Sequence, residues 1–447
     1  MNIQLDGNKA LMSSVSRKVY LLRKHHGISQ EALAEYMKVN KNRVIRAERG
    51  DEEYNEEHRA AIKECFRIVE FPLTDWECYT FRERLYYWRD LIRAKRMDEA
   101  REIHKEMKNI NNLEICDPEM VMLCRMMEVK LLMAEGDIES ATDKLNISQE
   151  RVDEMNDENK FHYLYSKGAL CIYQNCCDKG LEFFLEAYDL VEDNEALIPE
   201  DNGSLYYCIA LCYTNIDIPY HAISFWQKVL QTHPEKRTTN FFINASHGIA
   251  KNYIALSQLK DAERLLNKCL VTAESIKSDY YLSHTLFCFG YMYEKAQKWD
   301  IAIEYFDKAL KYAPEGSANF YPSVYHKIQC IIHTRAFTKA RKLLERVKDI
   351  CKADDVWTVY FEALGHYLTI SSRMTSYEND ISIEYIENMA IPHFIKMHDH
   401  FFAVDYYSLL ERYYERVKNE KKSLLMAKAI RNIYKRCFVD IGREAKP

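Results

Sequence analysis

A short basic stretch near the start of the chain carries the residues best suited to contacting nucleic acid. Between Ser16 and Gly50 there are nine Lys or Arg and three Glu, so this stretch has a net charge of +6. The whole chain has a net charge of −6, so the remaining residues carry −12. This asymmetry is typical of a small DNA-binding head on an acidic body.

The stretch from Gly27 to Gly50 has the pattern of two short helices joined by a tight turn. Ser29 and Asn40 can each accept a hydrogen bond from a free amide at the start of a helix. The side chains at helical spacing on the buried side are predicted to be Ala32, Leu33, Tyr36 and Met37, followed by Val44, Ile45 and Ala47. The second helix also carries Lys41, Asn42, Arg43, Arg46 and Arg49. That much positive charge exceeds what packing requires, and it predicts a helix that lies in a groove of DNA.

Residues 1–70 are predicted to form a head of five helices. A helix from Ser14 to His26 precedes the basic pair, and Asn55 can cap a later helix that ends near Val69. Phe71-Pro72 ends the head, and residues 71–75 are predicted to be a short linker. Because the linker has no flexible Gly/Ser run, the head is expected to stay close to the repeat domain.

A small residue recurs through the rest of the chain, about every 40 positions. These residues are Ala100, Ala141, Gly180, Ala222, Ala262, Ala302 and Ala340, and a bulky residue occurs four positions after each. A small residue lets two helices of a hairpin touch, so the period predicts stacked helical hairpins that share one core. Two more units at the end of the chain, with second helices near 381 and 423, bring the expected total to about nine in residues 76–440.

Composition agrees with an all-α protein. Apolar residues make up 47% of the chain, and there are few glycines and prolines. The fourteen cysteines have no paired spacing, and no apolar run is long enough to span a bilayer, so a cytoplasmic protein with reduced thiols and no membrane partner is predicted. Cys208 and Cys212 share a helix face and are interpreted as core, while Cys176-Cys177 has no second pair that would make a zinc site.

The head resembles the phage-repressor (XRE) type of helix-turn-helix domain. The matching residues are Ser29-Gln30, Leu33-Ala34, Val39, Val44 and Glu48-Arg49-Gly50. Lys38 departs from the pattern because that turn usually carries a glycine, and Ala47 is smaller than the usual aromatic residue. Residues 74–440 resemble tetratricopeptide (TPR) repeats lengthened to about 40 residues. The combination resembles the Gram-positive peptide-pheromone receptors of the Rap/Rgg/NprR/PlcR/PrgX (RRNPP) group.

That resemblance implies a quorum-sensing transcriptional regulator, a homodimer that binds a palindromic DNA site and responds to a short peptide. The DNA contacts it implies are Gln30, Lys41, Asn42, Arg43, Arg46 and Arg49, with Gln30 and Arg49 on phosphates. The peptide is expected on the inner helices of the repeats. The candidate contacts there are Tyr207, Asn215, Asn244, His247, Lys251, Tyr291, Glu294 and Gln329.

Three alternatives stay open. The chain could be a repeat scaffold that regulates a protein partner such as a response regulator, with a basic face that binds protein. It could also be a phage lysis–lysogeny regulator, which would use the same physical mechanism. The third alternative is an enzyme or a phosphatase-modulating protein. No enzyme is predicted, because the sequence has no phosphate-binding glycine loop and no nucleophile–base pair, and His393, His398 and His400 lack metal-ligand spacing. No cofactor is expected.

Overall fold

The computed structural model describes residues 14–67, 75–108, 118–150, 152–174, 176–193, 199–232, 239–351, 355–372 and 380–439. Every regular element in these ranges is helical, which confirms the all-α class. The Phe71-Pro72 junction and Val69 lie outside the described residues. Among the residues described, no helix is long and apolar enough to cross a membrane.

The head contains four helices within residues 14–67. They are α1 (Ser14–His25), α2 (Gln30–Tyr36), α3 (Lys41–Arg49) and α4 (Glu56–Phe66). A fifth head helix would have to lie outside the described ranges. The predicted caps are confirmed, because Ser29, Asn40 and Asn55 each accept a hydrogen bond from a backbone amide in the first turn of the adjoining helix.

The core of the head is formed by apolar residues from all four helices, including Leu22, Leu33, Val44 and Ile62, which are fully buried. The prediction that Ala32 and Tyr36 are buried is wrong, because both are exposed, Tyr36 over 46% of its surface. The buried positions of α2 and the residue after it are Leu33, Ala34 and Met37. At 3.6 residues per turn, Leu33, Ala34 and Met37 share one face of the helix, and Ala32 and Tyr36 lie outside that face.

The turn between α2 and α3 has a left-handed backbone at Lys38, the position where the resemblance predicts a glycine. Lys38 has φ +56°, and its amide donates to Glu35 O while the amide of Val39 donates to Ala34 O. This pair of bonds is the Schellman arrangement that normally favours glycine. Lys38 therefore adopts the geometry of the motif at the conformational cost of a side chain in that region.

Beyond the head, the described helices form nine hairpins, named R1 to R9 in chain order. The first three are R1 (α5, Asp75–Arg93; α6, Met97–Lys108), R2 (α7, Pro118–Glu135; α8, Ile138–Gln149) and R3 (α9, Asp157–Tyr173; α10, Cys177–Asp193). The next three are R4 (α11, Pro199–Asn215; α12, Pro219–Thr232), R5 (α13, Thr239–Ala255; α14, Leu259–Ser275) and R6 (α15, Asp279–Lys295; α16, Trp299–Leu310).

The last three hairpins lie in the C-terminal third. They are R7 (α17, Phe320–His333; α18, Phe337–Ile350), R8 (α19, Asp355–Ser372; then α20, Asp380–Tyr385, a π-helical turn Ile386–Ala390 and α21, Ile391–Lys396) and R9 (α22, His400–Arg416; α23, Glu420–Val439). The chain divides into two compact units. The first consists of residues up to 174 together with 182–199, and the second consists of residues 175–181 together with those from 200 onward.

The recurring small residue has a fixed place in the hairpin. In R1 to R7 it is the fourth residue of the second helix and is buried in every case. The bulky residue one turn later meets a glycine of a first helix in three places. A Cβ added to Gly168, Gly248 or Gly290 would lie 2.7, 2.3 or 2.6 Å from the ring of Phe184, Trp226 or Phe306, respectively. Close helix approach therefore depends on small residues on both sides of the contact.

The first helices also pack on one another. In the second unit, α13 contacts α15, α15 contacts α17, and α17 contacts α19. The first helices of R5 to R8 thus form one layer.

Candidate functional sites

The Glu48 carboxylate on α3 is the centre of a hydrogen-bond network in the head. Arg23 holds its carboxylate with two charge-assisted bonds, Nε to Oε1 at 2.6 Å and Nη2 to Oε2 at 2.8 Å, and both side chains are almost fully buried. Gln30 Nε2 donates to the same carboxylate at 2.6 Å. Arg23 also donates to the carbonyl of Ile28. These bonds tie α1, α2 and α3 together and orient the N-terminal end of α2.

Gln30, a candidate phosphate contact, is therefore half-buried and bonded within the protein. Its role as a DNA contact stays a prediction.

The outer face of α3 is exposed and charged. Lys41 forms an ion pair with Glu31, whose carboxyl pKa is lowered mainly by the hydrogen bond from that lysine. Arg43 and Arg46 share Glu52, at 2.7 and 3.2 Å. Exposed ion pairs contribute little free energy, so a phosphate or a base edge can replace these carboxylates at low cost. Asn42 and Arg49 are exposed on the same helix.

The eight candidate peptide contacts lie on four first helices, α11, α13, α15 and α17, all in the second unit. Two of them, Lys251 and Tyr291, line a common cavity of about 20 Å³. The other lining residues are Thr214, Asp217, Pro219, Asn252, Ala255 and Phe401. This volume is enough for about one water molecule, so the cavity as it stands does not admit a peptide side chain.

Thr214 joins R4 to R5 at the floor of this cavity. Its hydroxyl oxygen accepts hydrogen bonds from Trp226 Nε1 at 3.0 Å and Asn252 Nδ2 at 2.9 Å, and the hydroxyl donates to Ala210 O. These bonds satisfy the Thr214 hydroxyl and the buried donors of Trp226 and Asn252, and they link α11 to α13.

Asp217 lies at the rim, in the left-handed turn after α11 (φ +60°). Burial raises the pKa of its carboxyl to about 7, and Asp399 adds to this effect while Lys251 opposes it.

His247 is buried between α13 and α15. Its Nε2 is 2.8 Å from Thr285 Oγ1, and its Nδ1 is 3.0 Å from His284 Nδ1. Burial lowers the pKa of both imidazoles, to about 4 for His284, so both rings are neutral at ordinary pH. His247 is thus part of the contact between two first helices and is not presented to solvent.

Glu294 and Gln329 are also buried, and the side chain of each contacts another side chain of the protein. Glu294 Oε2 lies 2.9 Å from His326 Nδ1. Burial raises the pKa of this carboxyl, but the attraction of His326 and Lys295 outweighs that effect and leaves the pKa below its ordinary value. Gln329 Nε2 donates to Asp405 Oδ2 at 3.2 Å.

The remaining candidates are partly buried. Tyr207 packs edge-on against Trp226, Asn215 Nδ2 donates to Cys177 Sγ at 3.5 Å, and Asn244 is hydrogen-bonded to the side chain of Tyr281.

The first helix of R9 crosses the first helices of earlier hairpins. Asp405 on α22 lies 3.7 Å from Lys295 Nζ on α15, and the Tyr406 hydroxyl is 3.0 Å from that of Tyr325 on α17. Phe401 contributes to the cavity wall beside Thr214 and Tyr291. The inner layer of R4 to R7 is therefore partly covered by the chain's own C-terminal hairpin.

Several lining residues were not predicted from the sequence. Thr214, Asp217 and Asn252 are within a few positions of predicted contacts, so the repeat register could have indicated them. Phe401, which lines the cavity, and Asp405, which contacts Lys295 and Gln329 outside it, could not be found in that way, because their positions depend on how the hairpins stack. In the described part of the chain, no group of His, Cys, Asp and Glu is arranged to hold a metal ion.

Comparisons with known proteins agree with this architecture. No family model matches the sequence. The chain is 22% identical over 216 residues to regulatory protein RapD of Bacillus subtilis (strain 168), an alignment that covers 47% of this chain and 60% of RapD. The chain thus matches less than two thirds of that relative's length.

Solved structures give a longer match. The apo form of the quorum sensor NprR from B. thuringiensis superposes with a TM-score of 0.63 at 20% identity, covering 79% of this chain and 98% of that one. NprR in complex with its cognate peptide NprX superposes with a TM-score of 0.62 at 21% identity, covering 78% of this chain and 99% of that one. A Rap protein complexed with competence and sporulation factor superposes with a TM-score of 0.66 at 15% identity, covering 80% of this chain and 99% of that one. The chain shares their helical-repeat fold.

Proposed function

We propose that this protein is a DNA-binding transcriptional regulator controlled by a short peptide that binds the first helices of R4 to R7. The observation that carries the proposal is the presence of two separate surfaces in one chain. One is the pair of helices α2 and α3, with Lys41, Asn42 and Arg46 exposed on α3. The other is a layer of first helices lined by amide, hydroxyl, carboxylate and aromatic groups.

Peptide binding is supported by the chemistry of the second surface and by the fold. An extended peptide exposes amides and carbonyls, which side chains such as Asn215 and Asn244 can pair with, while aromatic rings accommodate its side chains. One solved structure with the same fold contains NprR with its cognate peptide. The peptide would act by binding one arrangement of the hairpins more tightly than another and so shifting the population of DNA-competent dimers.

DNA binding is tested by selecting sequences from a random duplex library with the full-length protein. The variant Lys41→Ala with Arg46→Ala is expected to weaken binding to the selected site by roughly 30- to 20,000-fold, because it removes two base contacts that are each worth roughly 1–3 kcal/mol. A control with the same loss of charge, Lys421→Ala with Lys428→Ala on α23, should bind normally. Selection of no motif, or equal loss in the two variants, would contradict the proposal.

Peptide binding is tested by isothermal titration with synthetic peptides encoded in short reading frames beside the gene. Lys251→Ala is expected to weaken the interaction, whereas Lys260→Ala, on the exposed side of α14, should not. The absence of heat and of a thermal shift with every such peptide would reject the receptor role while leaving DNA binding intact.

A second candidate is a repeat scaffold that regulates a protein partner such as a response regulator. It is favoured by the sequence match to regulatory protein RapD. Pull-down with the Lys41→Ala/Arg46→Ala variant separates the two, since a scaffold would retain its protein partner after losing DNA.

A further inference from the structure

Two cysteines of neighbouring hairpins come together at the start of α10. Cys177 is the first residue of that helix, and Cys212 lies on α11 one turn before its end. The Cys212 thiol is hydrogen-bonded to the Cys177 sulfur, and Asn215 Nδ2 donates to the same sulfur at 3.5 Å. Both cysteines belong to the second unit, and both are reduced.

The surroundings of Cys177 favour a sulfur anion. Hydrogen bonds from Cys212 and then Asn215 lower the pKa of the Cys177 thiol to about 6, helped by the charge of Lys251 and opposed by burial and by Asp178. The amides at the N-terminus of the 17-residue helix α10 add to this stabilisation. Other cysteines in apolar surroundings behave differently, since burial raises the pKa of Cys269 and Cys288 to about 12.

We propose that Cys177 and Cys212 form a peroxide-reactive dithiol, with Cys177 as the attacking sulfur and Cys212 as the resolving one. The placement carries this assignment, because a second sulfur already in contact is what separates a reversible thiol switch from a cysteine that overoxidises. Cys177 keeps 7% of its surface exposed, so the proposed oxidant is a small hydroperoxide.

The chemistry takes two steps. The Cys177 thiolate attacks one oxygen of the hydroperoxide, the O–O bond breaks, and the other oxygen leaves as hydroxide or alkoxide and takes a proton from water. Cys177 is then a sulfenic acid, oxidised by two electrons, and the peroxide is reduced by two. The Cys212 sulfur next attacks Cys177 as its proton is lost, the S–O bond breaks, and water leaves as the disulfide forms.

Disulfide formation would change the local contacts. Asn215 would lose the anionic sulfur that its amide now donates to, and the start of α10 would be covalently joined to the end of α11. Thiol reductants would restore the starting state.

The test uses the full-length protein with hydrogen peroxide near neutral pH. Peptide mapping should find a Cys177–Cys212 crosslink with a mass loss of two hydrogens, reversed by dithiothreitol. Cys212→Ser should stop at a sulfenic acid on Cys177 that dimedone captures, and Cys177→Ser should form neither product. Cys176→Ser and Cys208→Ser are matched controls, as each removes a neighbouring thiol and should leave the crosslink unchanged.

A measurement on the protein without substitutions tests the proposal even if the variants fail to fold. The rate of alkylation of Cys177 by iodoacetamide, measured against pH, should have its midpoint near pH 6, two to three pH units below that of an ordinary thiol. An unchanged thiol count after peroxide, a crosslink of Cys177 to Cys176 or Cys208, or an alkylation midpoint above pH 8 would each overturn the proposal.

Discussion

Removal of Arg23 should unfold the head selectively, because it leaves the Glu48 carboxylate buried without its cation. The two side chains are 7% and 6% exposed and are joined by two bonds of 2.6 and 2.8 Å. Breaking such a pair by removing one partner typically costs about 3–5 kcal/mol, since the remaining charge is not resolvated. Gln30 alone would then hold the carboxylate. The variant Arg23→Met keeps the apolar part of the side chain and removes the charge.

Hydrogen exchange detected by mass spectrometry measures the loss of stability in the head separately from the rest of the full-length protein. Global unfolding is not expected to be two-state in a chain with two compact units, so local protection is the better quantity. A loss of 3–5 kcal/mol corresponds to exchange faster by roughly 150- to 5,000-fold in α1, α2 and α3, at about 1.4 kcal/mol per factor of ten. Protection in R4 to R9 should stay the same.

Two further variants make the reasoning refutable. Arg23→Met combined with Glu48→Leu removes both charges and should recover at least half of the lost protection, because a buried pair is often replaceable by apolar residues. Lys24→Met changes an exposed cation next to Arg23 and should alter stability by less than about 0.5 kcal/mol. If Arg23→Met changes exchange less than tenfold, or if the double variant is as unstable as the single one, the buried pair is not what holds the head together.

Three other variants test the backbone, the packing and the electrostatics. Lys38→Gly should stabilise the head by about 0.5–1 kcal/mol in the same exchange assay, since φ is +56° there; an unchanged or lower protection would contradict this. Gly290→Ala should destabilise R6 by about 1–3 kcal/mol, because the new Cβ would lie 2.6 Å from Phe306, whereas Gly365→Ala, whose nearest neighbour is the end of Lys348 at 3.4 Å, should be tolerated. Asp217 binds its proton more tightly in the folded state, so its contribution to stability is present below about pH 4 and is lost as the pH rises through 7. Asp217→Asn, which tolerates the left-handed turn, should remove that loss and raise the melting temperature at pH 8; an identical pH profile for both proteins would refute it.

Local features of the fold could be predicted because their causes are local. Ser29, Asn40 and Asn55 cap helices through bonds to amides two or three residues away, so the residue type and its place are sufficient. The small residue of each second helix recurs for a similar reason, since its two helices pack closely at the same position in every hairpin from R1 to R7. The prediction for Tyr36 is wrong because periodicity alone does not tell which edge of a short helix faces the core.

The candidate sites depend on contacts that no local pattern contains. Glu48 lies 18 residues after Gln30 and 25 after Arg23, so the internal role of Gln30 becomes visible only once α1, α2 and α3 are assembled. Asp405 lies 76 residues after Gln329. A sequence pattern can place such residues on helices, but the choice between a ligand contact and an internal bond is made by packing.

The position of α22 bears directly on how a peptide could be recognised. The cavity between R4, R5 and R6 is closed on one side by Phe401, and α22 is held by the Asp405 contacts to Lys295 and Gln329 and by the Tyr406–Tyr325 hydrogen bond. If a peptide binds the first helices of R4 to R7, part of its binding free energy must be spent on separating these groups. Its apparent affinity is then lowered by the fraction of molecules in which α22 has moved away. The same requirement allows the peptide to shift the population between the two arrangements. A ligand that binds without displacing α22 would favour neither arrangement and would transmit no signal.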